Sequence, residues 1–386
     1  MNGARRPAEA LHETVKPSSA PESVALLLQG SGALGSYQAG VYQALLERGI
    51  EPTWIAGISI GAINSAIIAG NSAGDRLAKL RAFWETVSDA GDNGWSDRWA
   101  GHWQSDRARG WINRLAAGRV IAEGVRGFFT PRIPPPYLLP AGTAGVTSYY
   151  DVTGLWSTLE RLIDFDRINA KAMRFSVGAV NVRTGNFAYF DNKTDMIRPE
   201  HIMASCALPP AFDAIEVDGE FYWDGGMVSN TPLDWVISER TDLDTLVPQV
   251  DLWSARGSLP RDLAEVAVRM KEVQFSSRTR AASDEFRKVK RLQAAFNELL
   301  KEMSPELAAT PQAQLLARAC EPAVYNVVQL VYRSATYEAS RRTMSSRGVR
   351  WRNTGRRAMT TPPRRWRTPR YLYCRRRRRA LLSMTF

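Results

Sequence analysis

The chain is poor in the groups that most often carry protein chemistry. Its 386 residues include three cysteines and three histidines. Cys206, Cys320 and Cys374 are too few for a disulfide framework and too widely spaced for a metal motif, so neither is expected. No apolar run approaches the roughly 18 residues of a transmembrane helix. The longest, such as Val24–Leu28, have the length of a strand. Residues 1–22 contain Arg5 and Arg6 but no apolar segment, so no secretory signal is read there. These absences point to a cytoplasmic protein, or one peripheral at a membrane face.

Acidic residues are missing from one end. None follows Glu338, and residues 341–386 hold 16 arginines and no lysine. Subtracting those from 51 basic residues leaves 35 against 39 acidic ones, so the body carries −4. The net charge of +12 and the pI near 9.8 therefore describe the last 46 residues. Such a break predicts a disordered tail, or an out-of-frame product of a GC-rich gene, from about residue 345. A polybasic membrane anchor is the other reading. Nucleic-acid binding would rest on this tail alone, with Trp351, Trp366, Tyr371 and Tyr373 interleaved, and no specific nucleic-acid partner is expected.

What is present is globular: 44% hydrophobic and 23% charged residues. The unbroken apolar run Val24–Leu28 reads as a buried parallel strand. A glycine-rich loop and a helix from Tyr37 to Leu46 follow. Trp54–Ile58 reads as a second buried strand and Ile60–Ala69 as a second helix, which opens an α/β fold. Tyr150–Leu162 is predicted helical. Phe175–Val182 and Asn186–Phe190 alternate around Arg183-Thr184-Gly185, a hairpin signal. Leu246–Trp253 and Val324–Val331 read as further strands, with a mostly helical Leu259–Met303 between them.

Gly30-Ser31-Gly32-Ala33-Leu34-Gly35 fits the dinucleotide fingerprint between a strand and a helix. Position argues against that use. The ribose-binding acid belongs at the C-terminal end of the second strand, whereas Glu51 precedes that strand. Its C-terminal end carries Gly57-Ile58-Ser59-Ile60-Gly61, which fits G-x-S-x-G, the nucleophile elbow. Flanking glycines let strand and helix cross, and the serine hydroxyl projects at the positive end of the helix. A glycine loop after the neighbouring strand supplies N–H donors for a developing oxyanion.

A nucleophilic serine needs a proton acceptor. No pattern places His12, His102 or His201 near Ser59. A partly desolvated carboxylate can serve instead. Phe221-Tyr222-Trp223-Asp224-Gly225-Gly226 offers one after an aromatic strand, although an isolated Asp-Gly-Gly also reads as an ordinary turn.

Together these residues resemble the patatin-like phospholipase family. The oxyanion loop matches Gly30–Gly35, the elbow matches Gly57–Gly61 and the acid motif matches Asp224–Gly226. Ala204–Pro210 is similar to the family's A-S-x-A-x-P block, and Asn230-Thr231-Pro232 to its N-x-P block. The order is kept over about residues 23–235. The resemblance implies a three-layer α/β/α sandwich around a mainly parallel sheet and a Ser59–Asp224 dyad. It further implies hydrolysis of lipid or acyl esters through an acyl-enzyme, with no cofactor and no metal. One departure is that many members carry Arg or Lys where Leu34 stands, and Ser31 replaces a glycine.

The expected organisation is a disordered 1–22, a catalytic domain over 23–250, a helical extension with a returning strand over 251–344, and the arginine-rich 345–386. Within the catalytic domain, 89–150 is an irregular insertion. Trp95, Trp99 and Trp103 share one helical face there, with Trp111 and Phe128-Phe129 beyond, and are read either as an interfacial lid or as a face packed on the core. The rival to an enzyme is a non-catalytic scaffold of the same fold at a membrane.

Overall fold

A computed structural model describes residues 21–88, 120–239, 243–320, 325–332 and 381–385. The tryptophans at 95, 99, 103 and 111, the first 20 residues and most of the arginine-rich tail lie outside the described residues.

The strands are β1 (Ser23–Leu28), β2 (Trp54–Ile58), β3 (Thr130–Pro131), β4 (Tyr150–Asp151), β5 (Arg174–Asn181) and β6 (Phe187–Asp191). They continue with β7 (Ile215–Val217), β8 (Glu220–Asp224), β9 (Thr245–Asp251), β10 (Tyr325–Val331) and β11 (Leu381–Thr385). Nine of them form one sheet in the order β11-β10-β9-β1-β2-β5-β8-β7, with β6 also on β5. The strands from β11 to β5 run parallel, β6 and β8 pair antiparallel with β5, and β7 pairs antiparallel with β8.

Helices cover both faces, as the continuous apolar strands require. The larger core joins one face of β1, β2 and β5 to α1 (Ser36–Leu46), α2 (Ile60–Ala69), α3 (Arg76–Ser88) and α4 (Thr153–Leu162), through Leu26, Leu28, Ile55 and Phe175. Next come α5 (Phe165–Asn169) and α6 (Pro199–Cys206). On the other face Ala25, Leu27, Trp54 and Ala56 meet α7 (Leu233–Ser238) and the 40-residue α8 (Leu263–Glu302), whose Phe286 packs edge-on against Tyr325. The short α9 (Pro305–Ala308) and α10 (Pro311–Ala319) then lead back to β10. The fold is the expected mainly parallel three-layer α/β/α sandwich.

Two expectations change and one open alternative is decided for Phe128 and Phe129. The helix predicted from Tyr150 begins at Thr153, because Tyr150 and Asp151 pair antiparallel with Pro131 and Thr130. Phe128 and Phe129 take the packed arrangement, not the lid. Phe129 packs 4.7 Å from Tyr150 and 5.4 Å from Phe212 in the core. The boundary placed at residue 250 falls inside β9, which pairs with β1, and the returning β10 pairs with β9 in the same sheet.

At the end of β6, opposite Ser176 near the start of β5, Asp191 is buried yet charged. It accepts from Arg174 Nε at 3.0 Å, Ser176 Oγ at 2.7 Å and the Lys193 N–H at 2.9 Å. The Arg174 guanidinium also lies 3.8 Å over the Trp54 ring. Burial works to raise the Asp191 pKa, but the Arg174 hydrogen bond and the others outweigh it and hold it below the ordinary value. Its contribution to stability is therefore full above the usual carboxylate range and lost as pH falls through the folded value. Asp191→Asn leaves Arg174 partly unpaired and is expected to cost about 3–5 kcal/mol at pH 7 in urea unfolding. The gap from wild type narrows in acid; a loss too small to measure at pH 7 overturns this account.

Candidate active site

Register brings the two candidate groups together. Ile58 pairs with Gly178 on β5, and the next β5 residue, Ala179, pairs with Asp224, while β6 takes the opposite edge of β5 at both residues. β2 and β8 therefore share one edge of β5 and meet end to end, so Ser59, one step past Ile58, comes up beside Asp224. Because β8 runs against β5, its last residue stops at the height where β2 ends. The Ser59 hydroxyl is close enough to the Asp224 carboxylate to act on its pKa as a hydrogen-bond donor, lowering it.

Ser59 has φ 56° and ψ −125°, a conformation that favours glycine. It is the sharp strand-to-helix turn that the G-x-S-x-G pattern requires. The turn closes only because Gly57 and Gly61 lack side chains. A Cβ on Gly61 would lie 2.1 Å from the Leu28 carbonyl oxygen, and one on Gly57 would lie 2.3 Å from the Gly61 backbone. Ser205 of α6 braces the turn. Its hydroxyl accepts from the Ser59 N–H at 2.9 Å and donates to the Gly178 carbonyl at 2.6 Å. The sequence pattern flagged the block holding Ser205 but not this function, which depends on a partner 146 positions away.

Asp224 is buried at 3% exposure. Burial pushes its pKa up to about 6, and the hydrogen bonds from Ser59 and from the Gly226 N–H (2.7 Å) only partly offset that. No cation pairs with it in the bonds the structure shows. Cys206 beside it is buried, and burial together with the Asp224 charge raises its thiol well above the ordinary value, which keeps it protonated and inert.

Gly32–Gly35 of the predicted loop form one 3-10 turn, with Gly32 at φ +50°. The first N–H groups of such a turn have no partner inside it and are free to face a ligand. Gly30 differs. Its N–H is donated to the Asn230 carbonyl at 3.2 Å, and its carbonyl accepts from Asn230 Nδ2 at 2.6 Å. A Cβ on Gly30 would lie 3.0 Å from Ser59 Cβ, so it allows close approach instead of donating. Leu34 and Gly35 are buried, and the Leu34 side chain is part of the core. Asn230 thus ties the loop of Gly30 to the loop of Asp224, Gly225 and Gly226, a link the N-x-P spacing did not reveal.

His201, the histidine among the described residues, is buried against Phe190 and accepts the Arg198 N–H on Nδ1 at 3.0 Å. Burial lowers its pKa. It caps α6 and lies apart from the hydrogen bonds of Ser59. Among the described residues no group of three or more metal-ligating side chains forms, and no helix is long and apolar enough to cross a membrane.

Comparison with known proteins follows the same geometry. A family model described as patatin-like phospholipase matches residues 26–237, more than half of the chain. The chain belongs to the patatin-like phospholipase family. A second model, described as patatin phospholipase, matches 273–346, so the extension is also family sequence and the match ends where the arginine-rich stretch begins. Uncharacterized NTE family proteins of Mycobacterium bovis and Mycobacterium tuberculosis are 26% identical over 244 residues, 60% of this chain. The chain spans about half the length of these relatives. Among solved structures, VipD from Legionella pneumophila aligns with 89% of this chain and 68% of its own at 17% identity and TM-score 0.36. The ExoU–SpcU complex of Pseudomonas aeruginosa aligns with 78% and 59% at 15% identity and TM-score 0.26.

The backbone strain at Ser59 is measurable. Ser59→Gly should be more stable than Ser59→Ala by about 1 kcal/mol, the relieved strain being partly offset by the freer unfolded chain. Paired denaturant titrations check this, and equal midpoints would show that the turn is unstrained.

Proposed function

We propose that this chain is a serine acyl hydrolase that cleaves lipid carboxyl esters with Ser59 and Asp224. The observation that carries the reading is that Ser59, on a strained strand-to-helix turn, comes up beside a buried carboxylate whose pKa is pushed up to about 6. Family membership supports lipid esters as the substrate class.

Asp224 takes the Ser59 proton as the serine oxygen attacks the acyl carbonyl. The carbonyl electron pair moves onto oxygen, where N–H groups of the Ser31–Ala33 stretch stabilise it. Collapse breaks the ester bond, and the leaving alkoxide takes the proton from Asp224. Water then gives a proton to Asp224 and attacks the acyl-enzyme, and that proton returns to Ser59 as the acid departs. Every proton gained is returned, so the cycle needs no cofactor.

Leu34 loosens the requirement for a phospholipid. With that side chain in the core, the loop offers no cation where many members carry one. Ester hydrolysis therefore does not depend on an anionic head group here, and lipase, esterase and lysophospholipase substrates all suit the site. The basicity of the arginine-rich end takes no part in this chemistry.

Ser59→Ala should fold as wild type by circular dichroism and lose hydrolysis of p-nitrophenyl butyrate by at least about a thousandfold. Residual activity at the wild-type level would refute the assignment. The pH profile is a separate test. Asp224 must be ionised to accept the proton, so kcat/KM should climb with pH through about 6 and level off above it. A profile flat from pH 5 to 8 would exclude a carboxylate base of this kind.

A further inference from the structure

Trp253 lies between the two matched family regions, 26–237 and 273–346, yet it reaches the candidate site. Its indole Nε1 donates to the Gly30 carbonyl at 3.1 Å, the same oxygen that accepts from Asn230 Nδ2 at 2.6 Å. The ring is buried at 5% exposure and leans on Phe275 with 5.4 Å between centroids. The Trp253 backbone is fixed too. Its N–H and that of Leu252 both donate to Gln29 Oε1, at 3.2 and 2.6 Å, and Gln29 immediately precedes Gly30. Gln29 itself is fully buried, and its amide nitrogen donates to Thr231 Oγ1 at 3.2 Å.

In a trans peptide the carbonyl and the following N–H point in opposite directions. Two donors on the Gly30 carbonyl therefore fix where the Ser31 N–H points. Gly30 lies against the Ser59 side chain, so this peptide sits beside the candidate nucleophile. We propose that Trp253 is a positioning residue, which with Asn230 locks the Gly30–Ser31 peptide so that the Ser31 N–H serves as an oxyanion donor. The proposal rests on the acyl-transfer reading of Ser59. It adds a residue from the turn after β9, a part of the chain that the oxyanion loop's own sequence does not reach.

A positioning role acts on the transition state more than on substrate binding. Trp253→Phe keeps an aromatic ring on Phe275 and removes the donor. Its kcat for p-nitrophenyl butyrate should fall about tenfold with KM within about twofold. The inhibition constant of an alkyl trifluoromethyl ketone, which forms an oxyanion on serine, should rise by a similar factor. Thermal unfolding run alongside reports whether the core is kept. If Trp253→Phe unfolds, site-directed incorporation of benzothienylalanine at position 253 preserves the ring shape without the N–H and gives the same readouts. A folded variant with unchanged kcat, or one whose loss lies wholly in KM, overturns the proposal. A wild type that neither hydrolyses the ester nor takes up a fluorophosphonate overturns the acyl-transfer reading and this one with it. An active wild type beside an equally active variant overturns this one alone.

Discussion

The site depends on three backbones meeting with no side chain between them. The end of β1 passes under the start of α2, where Gly61 rests on the Leu28 carbonyl, and Gly57 rests on Gly61 in turn. That contact forces the turn at Ser59 into a conformation that L-residues seldom adopt. Such strain persists only where the surroundings over-determine it. Here all ten residues of α2 are buried, and the Ser205 hydroxyl holds the Ser59 N–H while anchoring to β5. The rigid helix holds one side of the turn and the Ser205 bridge the other. The serine hydroxyl is thus aimed by packing that has nothing to do with its own side chain.

Three buried carboxylates on this sheet show how environment assigns their work. Asp191 has Arg174 beside it and is held below the ordinary range. Asp224 has only a hydroxyl and an amide, and burial lifts it to about 6. Asp251, at the end of β9, is lifted to about 7 by burial, with the Gln249 amide as its partner at 2.8 Å. A raised pKa alone does not mark a proton acceptor. What separates Asp224 from Asp251 is the Ser59 hydroxyl, since a base acts only on a proton within reach. The pairing of β8 with β5 supplies that reach, and Asp251 has no comparable neighbour among the bonds shown.

The sequence was legible where the physics is local. Val24–Leu28, Trp54–Ile58 and Ile60–Ala69 stand out because a fully buried parallel strand or helix reads as continuous apolar residues, with glycines marking the turns. The hairpin around Gly185 is legible for the same reason, and the order of motifs suffices to place Ser59 and Asp224 in one family pattern. What could not be read is set at long range. Tyr150 and Asp151 look like the first residues of a helix until their strand partners at Thr130 and Pro131 are known. Phe128 and Phe129 read equally as a lid or as a packed face until Tyr150 and Phe212 are seen to close over them. Ser205, Asn230 and Gln29 are ordinary polar residues in sequence, and their functions exist only through partners about 150 to 220 positions away.

The same reasoning bears on where the catalytic unit ends. A chain cut after residue 237, where the first family match stops, would lose β9 and make β1 an edge strand. An exposed edge as apolar as Val24–Leu28, with its N–H and C=O groups unpaired, is a template for aggregation, which native folds avoid. The cut would also leave Gln29 Oε1 without the two backbone donors of Leu252 and Trp253, and the Gly30 carbonyl with one donor instead of two. β9 in turn takes β10 as its outer neighbour, and β10 is reached only through α8. The helical extension therefore belongs to the fold that forms the site. Its first turn meets the glycine-rich loop, and its returning strand covers the strand that holds that turn in place.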